Sequence, residues 1–122
     1  MTSSLSALQI AVLCVYAAGM AGGQLLFKAA ALRIPPDGTL AERLLALARS
    51  GYFLAALAAY LVLSLVWVWL LRFTPLSRAY LFVALSFALV PIAAAAAFDE
   101  PLSARFVLGA ILTLCGLVLV AA

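Results

Sequence analysis

Apolar residues occur in four long blocks along the chain, separated by short polar segments. The blocks cover approximately residues 5–32, 52–71, 76–98 and 104–122. A helix needs about 20 apolar residues, rising ~1.5 Å each, to cross a hydrocarbon core about 30 Å thick. The pattern predicts an all-α membrane protein, a single domain over residues 1–122 with four transmembrane helices. We expect the first block to be retained, because it lacks the basic n-region of a signal peptide.

The first connection carries a helix signal of its own. It opens with Pro35 and Pro36, which cannot continue a helix. Thr39 and Glu42 then have the spacing of a capping box, and leucines recur at helical spacing with charged residues on the other side. This predicts a short interfacial helix over residues 40–50. A plain linker is the alternative.

The remaining connections are short and predict helical hairpins. Thr74 and Pro75 suit the N-cap and first turn of the third helix, and residues 99–103 form a tight turn into the fourth. The third and fourth helices are therefore expected to form an antiparallel hairpin, with a proline, Pro91, inside the third. The first two form a looser hairpin. Basic residues favour the first and third loops, which places those loops in the cytoplasm.

Composition supports lipid as the solvent and argues against several classes of function. Apolar residues make up 70% of the chain and charged residues 9%, whereas an average soluble domain has about 25% charged residues. The net charge of +3 comes from basic residues that mark helix ends and form no basic face, which argues against nucleic acid. Cys14 and Cys115 fall inside apolar blocks, so neither a disulfide nor a metal site is indicated. With no histidine and no nucleophile paired with a base, we expect neither an enzyme nor a bound cofactor.

A few polar side chains fall inside the apolar blocks and are candidates for substrate binding. A charge near the centre of a membrane helix costs about 2.5–3.5 kcal/mol on insertion scales, so such residues are usually functional. Gln24 and Lys28 lie four residues apart on one face of the first helix, where an ammonium in an internal cavity would bind an anion such as phosphate. Arg78, Tyr80 and Ser86 are the candidates in the third helix. The alternatives are a lysine that extends to the interface, an interfacial arginine and a packing serine.

Small residues predict the surfaces on which helices meet. Gly19 and Gly23 form such a surface on the first helix, and Gly109, Thr113 and Gly116 form one on the fourth. Small residues allow helix backbones to approach closely in lipid, within or between subunits. Four helices fill their own interior, so a dimer of eight helices is the smallest plausible transport unit.

Several stretches resemble the drug/metabolite transporter superfamily. Its last helical hairpin, also found in EamA-type domains, resembles the segments TPLSRAY (Thr74–Tyr80) and FDEPLS (Phe98–Ser103), which lead into Gly109 and Gly116. The segment GQLLFK (Gly23–Lys28) resembles the first helix of the short four-span members.

Two groups of short members are relevant. The small multidrug resistance exporters use a membrane glutamate in the first helix to exchange protons for cationic drugs. When Gly23 and Lys28 are aligned with that helix, Met20 occupies the glutamate position, and the four apolar blocks contain no acidic residue in their membrane interior. Tyr80 matches an aromatic position that contacts substrate in those exporters.

The chain more closely resembles the small subunits that flip polyprenyl-phosphate-linked sugars, of the aminoarabinose-phosphoundecaprenol type. This resemblance implies a multi-pass protein of the bacterial inner membrane that works by alternating access, as a homodimer or paired with a similar subunit. Lys28 would hold the phosphate, and Gln24 and Tyr80 would hydrogen-bond the phosphate or sugar. An exporter of cationic drugs or metabolites and an accessory subunit of a glycolipid-modifying complex are the alternatives.

Overall fold

The computed structural model describes residues 6–121 and, within them, all side chains except those of Leu117, Val120 and Ala121. These residues form six helices and no strand: α1 (Ala7–Ala31), α2 (Leu40–Ala48), α3 (Gly51–Phe73), α4 (Leu76–Val83), α5 (Ser86–Phe98) and α6 (Ala104–Ala121). The expectation of an all-helical chain is therefore confirmed for the described residues.

Three helical segments are long and apolar enough to cross a membrane. They are α1, α3 and the 23-residue segment Leu76–Phe98, which combines α4 and α5. The apolar part of α6 that meets the composition test is shorter, Ala104–Gly116. Many large apolar side chains on these helices are exposed, as expected for surfaces that face lipid.

Hydroxyl side chains cap the N-termini of the first three helices. Ser6 accepts a hydrogen bond from the Gln9 backbone N–H, and the Gln9 side chain accepts one from the Ser6 N–H, which completes a capping box. The Thr39 hydroxyl accepts from the Glu42 N–H at the start of α2, and the Ser50 hydroxyl caps α3 in the same way. These caps satisfy backbone donors that the first turn of a helix leaves unpaired.

The segment Leu76–Phe98 is interrupted at Ala84 and Leu85, before Pro91. Backbone bonds here shorten to the three-residue spacing of a 3₁₀ turn, as in the bond from the Leu85 N–H to the Phe82 carbonyl. The Ser86 hydroxyl donates to the Val83 carbonyl at 2.7 Å. Ser86 thus satisfies a carbonyl at the interruption between α4 and α5.

Helices α1 and α3 run antiparallel and are tied together at both ends. At one end, the Gln9 side-chain amide donates to the Phe73 carbonyl at 3.1 Å and to the Thr74 hydroxyl at 3.3 Å. Thr74 is only 3% exposed, so these bonds satisfy polar groups that are largely shielded from solvent. At the other end, the ring of Phe27 stacks on Tyr60 with centroids 5.2 Å apart.

The small residues of α1 make the close contact with α3. A Cβ atom added at Gly23 would lie 2.6 Å from Cε2 of Tyr60, and one at Gly19 would lie 3.0 Å from Cδ2 of Leu63. Leu13, Leu70 and Ala79 form a buried cluster nearer the start of α1. The glycine pair of α1 therefore packs against α3 within one subunit.

Helix α6 is peripheral. None of its described side chains is buried, and a Cβ atom added at Gly109 or Gly116 would meet nothing within 4 Å. The Thr113 hydroxyl donates to the Gly109 carbonyl of the same helix at 2.9 Å. The small residues of α6 thus face open space in this single chain.

Candidate functional site

A cavity of about 590 Å³ lies between α1, α5 and α6. It is lined by one α1 residue, Gln24, by Ser86, Phe87, Val90 and Pro91 of α5, and by Phe106, Gly109, Ala110 and Thr113 of α6. Its lining is mainly apolar. Of the residues singled out in the sequence, the cavity brings together Gln24, Ser86, Gly109 and Thr113.

Gln24 is held in place from α3. Its side-chain amide donates to the Tyr60 hydroxyl at 2.8 Å, and that hydroxyl donates to the Met20 carbonyl at 3.2 Å. The ring of Tyr60 fits there because Gly23 has no side chain. Tyr60 is a positioning residue that the sequence analysis missed, although a tyrosine hydroxyl inside an apolar block was a visible signal.

The other two polar residues of the lining satisfy their own helices. Ser86 donates to the Val83 carbonyl and Thr113 to the Gly109 carbonyl. The hydroxyl hydrogens of Ser86 and Thr113 are therefore engaged within their own helices, and Gln24 is the one α1 residue in the lining. An apolar or amphipathic molecule fits this lining better than a small polar one.

Lys28 lies one turn beyond Gln24 on the same face of α1, but it is not one of the residues that line the cavity. Its Nζ is 3.5 Å from Oε1 of Glu100, and the two side chains are 46% and 43% exposed. Glu100 belongs to the turn before α6, directly after Asp99, which ends α5 in the left-handed conformation with φ 53°. The ion pair joins the end of α1 to the α5–α6 turn, and at this exposure it contributes no more than about 1 kcal/mol.

Tyr80 and Arg78 lie away from this cavity. Tyr80 is 62% exposed on α4, and its ring meets the edge of Trp67 with centroids 6.4 Å apart. Arg78 is in the first turn of α4, beside Thr74, which is bonded to the start of α1. It is therefore at the opposite end of the bundle from Lys28.

Other basic side chains at this end of the bundle make contacts around the connection between α1 and α3. The Arg33 guanidinium lies 4.2 Å from the ring centroid of Tyr52, and Arg43 donates to the Pro36 carbonyl at 2.6 Å. A second cavity of about 610 Å³, between the end of α1, α2 and the start of α3, is lined in part by Arg33 and Arg49. Five of the seven basic residues and all four acidic residues of the sequence lie at this end of the bundle, so its net charge is close to neutral.

Comparison with known proteins identifies the family. The chain is 35% identical over 105 residues to the probable 4-amino-4-deoxy-L-arabinose-phosphoundecaprenol flippase subunit ArnF of Pseudomonas fluorescens. The match covers 81% of this chain and 77% of the relative. The chain belongs to the ArnF family of flippase subunits. No protein family model matches it, and no solved structure does.

Membership in the ArnF family confirms the resemblance drawn from the sequence. The relative is a transport subunit and not an enzyme, in agreement with the expectation from the residues. Together with the three long apolar segments, it identifies the chain as a multi-pass membrane protein.

Proposed function

We propose that this chain is a subunit of a flippase that moves a polyprenyl-phosphate-linked sugar across the bacterial inner membrane by alternating access. Its membership in the ArnF family carries this proposal. The cavity adds support, because an apolar lining that includes Gln24, with the Lys28 ammonium one turn further along α1, suits an anionic headgroup attached to a lipid chain.

In this proposal the chain crosses the membrane four times, as two helical hairpins, with α2 at the interface. Contacts at the ends of the helices support this arrangement. Helices α1 and α3 run antiparallel, and Lys28 at the end of α1 contacts the turn that follows α5. The 18 residues of α6 would span ~27 Å, close to the hydrocarbon thickness.

The working unit is a dimer, formed with a second copy or a similar four-span subunit. The relative is named as a subunit, and α6 leaves the surface around Gly109 and Gly116 open. A helix from a second subunit packed there would close the cavity on its α6 side. Tyr80 and Arg78 lie away from the cavity of one chain, so their predicted contact with substrate requires a cavity shared between subunits.

Within the site, Lys28 binds the phosphate, while Gln24 and Ser86 provide polar contacts to the headgroup. The polyprenyl chain stays in lipid or against the apolar lining. The rival function, proton-coupled export of cations, gains no support from the cavity, because none of the residues that line it is acidic.

The test is flipping of a polyprenyl-phosphate sugar in proteoliposomes that contain this chain alone or with a candidate partner subunit. We expect Lys28→Ala to reduce flipping and Lys28→Glu to abolish it. Arg72→Ala is the matched control, because Arg72 is a cation in the last turn of α3, at the opposite end of the bundle. Full activity in both Lys28 variants would remove the phosphate role. Copurification with a larger enzyme, with no flipping in any combination, would instead support an accessory subunit.

A further inference from the structure

The Lys28–Glu100 ion pair occupies the place where the proposed function puts the substrate phosphate. The distance of 3.5 Å between Nζ and Oε1 is longer than the ~2.7–2.9 Å of a strong charge-assisted hydrogen bond. Both side chains are nearly half exposed, and such pairs are weak because water screens them. Lys28 can therefore exchange its partner at little cost.

If Lys28 exchanges Glu100 for a phosphate, Glu100 loses its counter-ion. A phosphate that takes Lys28 removes the cation that faces the Glu100 carboxylate, and brings a second anion close to it. Two anions in proximity repel each other. Phosphate binding is therefore unfavourable unless the substrate also supplies a cation to Glu100.

The substrate named for the relative has the required charges. A 4-amino-4-deoxy sugar linked through phosphate carries an amine, protonated at neutral pH, and a phosphate anion on the same headgroup. The headgroup is zwitterionic, as is the Lys28–Glu100 pair. Insertion of the headgroup between the two side chains replaces one ion pair with two.

We propose that Glu100 is a specificity-determining residue that binds the ammonium group of an amino sugar while Lys28 binds the phosphate. The inference rests on the proposed function and extends it to the choice of sugar. When the site is empty, Glu100 pairs with Lys28. A lipid-linked sugar without the amine leaves Glu100 unpaired beside the phosphate, and is therefore transported less well.

The local structure suits this exchange. Lys28 projects from α1, which is held to α3 by ring stacking at Phe27. Glu100 lies in the connection between α5 and α6, outside any helix. A change in the position of its carboxylate therefore requires no change within a helix.

The experiment compares flipping of a polyprenyl-phosphate 4-amino sugar with flipping of its N-acetylated form, which has no positive charge. We expect the wild type to prefer the amino form about two- to fivefold, the value of one partly exposed charge contact. Glu100→Gln should bring that ratio close to one. Asp99→Asn is the matched control, because it removes the same charge one residue away and asparagine tolerates the left-handed conformation of Asp99. It should keep the wild-type ratio.

A charge exchange separates substrate recognition from a structural role of the pair. The double variant Lys28→Glu, Glu100→Lys restores the ion pair with its charges reversed. Thermal stability should recover, whereas flipping of the amino form should remain low because each charge now faces the wrong end of the headgroup. Recovery of flipping together with stability would show that the pair is only structural.

The outcomes distinguish this inference from the proposed function. If the wild type flips both lipids equally, or if Glu100→Gln keeps the preference for the amine, the role of Glu100 is refuted and the flippase function stands. If the wild type, with any partner, flips neither lipid, the proposed function fails and the inference fails with it. The wild-type comparison alone can overturn the inference, whether or not Glu100→Gln folds.

Discussion

The contact between Gly23 and Tyr60 provides the sharpest test of the structure. In Gly23→Ala, the new methyl group would lie 2.6 Å from Cε2 and 3.0 Å from Cζ of the tyrosine ring. Ordinary carbon contacts begin about 1 Å further out. Because the ring stacks on Phe27 and its hydroxyl bonds to Gln24 and Met20, it cannot move aside without losing those contacts. Overpacking of this kind costs about 1–3 kcal/mol.

The neighbouring glycine supplies the control. A Cβ atom at Gly22 would meet nothing within 4 Å, so Gly22→Ala adds a methyl group to the same turn without a clash. Both substitutions gain the same helix propensity, up to about 1 kcal/mol, and this gain cancels when the two variants are compared. Gly23→Ala should therefore be less stable than Gly22→Ala by about 1–3 kcal/mol.

The assay is reversible unfolding in mixed detergent micelles, followed by circular dichroism. The same pair of substitutions should be made with Tyr60→Ala, which removes the ring; there the difference between the two glycine positions should fall to within about 0.5 kcal/mol. Equal stability of Gly22→Ala and Gly23→Ala in the wild-type background would refute the packing of α1 on α3. A difference that persists without the ring would show that Tyr60 is not its cause.

Three further results are expected. Gln9→Leu should destabilise the protein by about 1–2 kcal/mol in the same unfolding assay, because it leaves the shielded hydroxyl of Thr74 without the amide donor; an unchanged stability would contradict the bond that ties the start of α1 to α3. Tyr60→Phe should keep the ring stacking and lose the hydroxyl, so flipping should fall while stability changes by only about 1 kcal/mol; unchanged flipping would contradict the role of the tyrosine in holding Gln24. Gly109→Leu and Gly116→Leu should leave the single chain stable, since both positions are open, but should lower the dimer fraction measured by native mass spectrometry; an unchanged dimer fraction would place the subunit contact elsewhere.

Hydropathy and local chemistry were sufficient to predict much of the fold. Long apolar blocks give helices because lipid leaves backbone polar groups no other partner, and hydroxyl residues such as Thr39 mark where a helix begins. The interruption at Ala84 and Leu85 was not predictable, since neither residue favours a break. The Gly19–Gly23 pair lies against Leu63 and Tyr60 of α3, and the sequence could not name α3 as the neighbour, because uniformly apolar helices give no pattern that specifies one.

The candidate site was predicted less completely, for a related reason. Gln24 and Ser86 were identified because polar groups at membrane depth are few. Glu100 was interpreted only as part of a tight turn, although it forms the ion pair with Lys28. The contact joins residues far apart in the sequence, and only the packing of α5 beside α1 brings them together. Tyr60 was missed because its ring was counted with the apolar residues of the block, whereas its hydroxyl is the group that positions Gln24.

The exposed position of Lys28 bears on how the proposed substrate would be bound. A cation inside the cavity would place the phosphate among apolar side chains, where removing it from water is costly. In the proposed function, the same cation, outside the lining of the cavity, beside Glu100 and nearly half exposed, would receive the phosphate while water still reaches it. The lipid chain can then lie along the apolar lining around Val90 and Phe106. A headgroup bound at Lys28 and a lipid chain against the apolar lining would give an amphipathic substrate both environments that it requires. For the headgroup to cross in this proposal, Lys28 would have to release it toward Gln24, and the return of Glu100 to Lys28 would provide a counter-ion that favours this release.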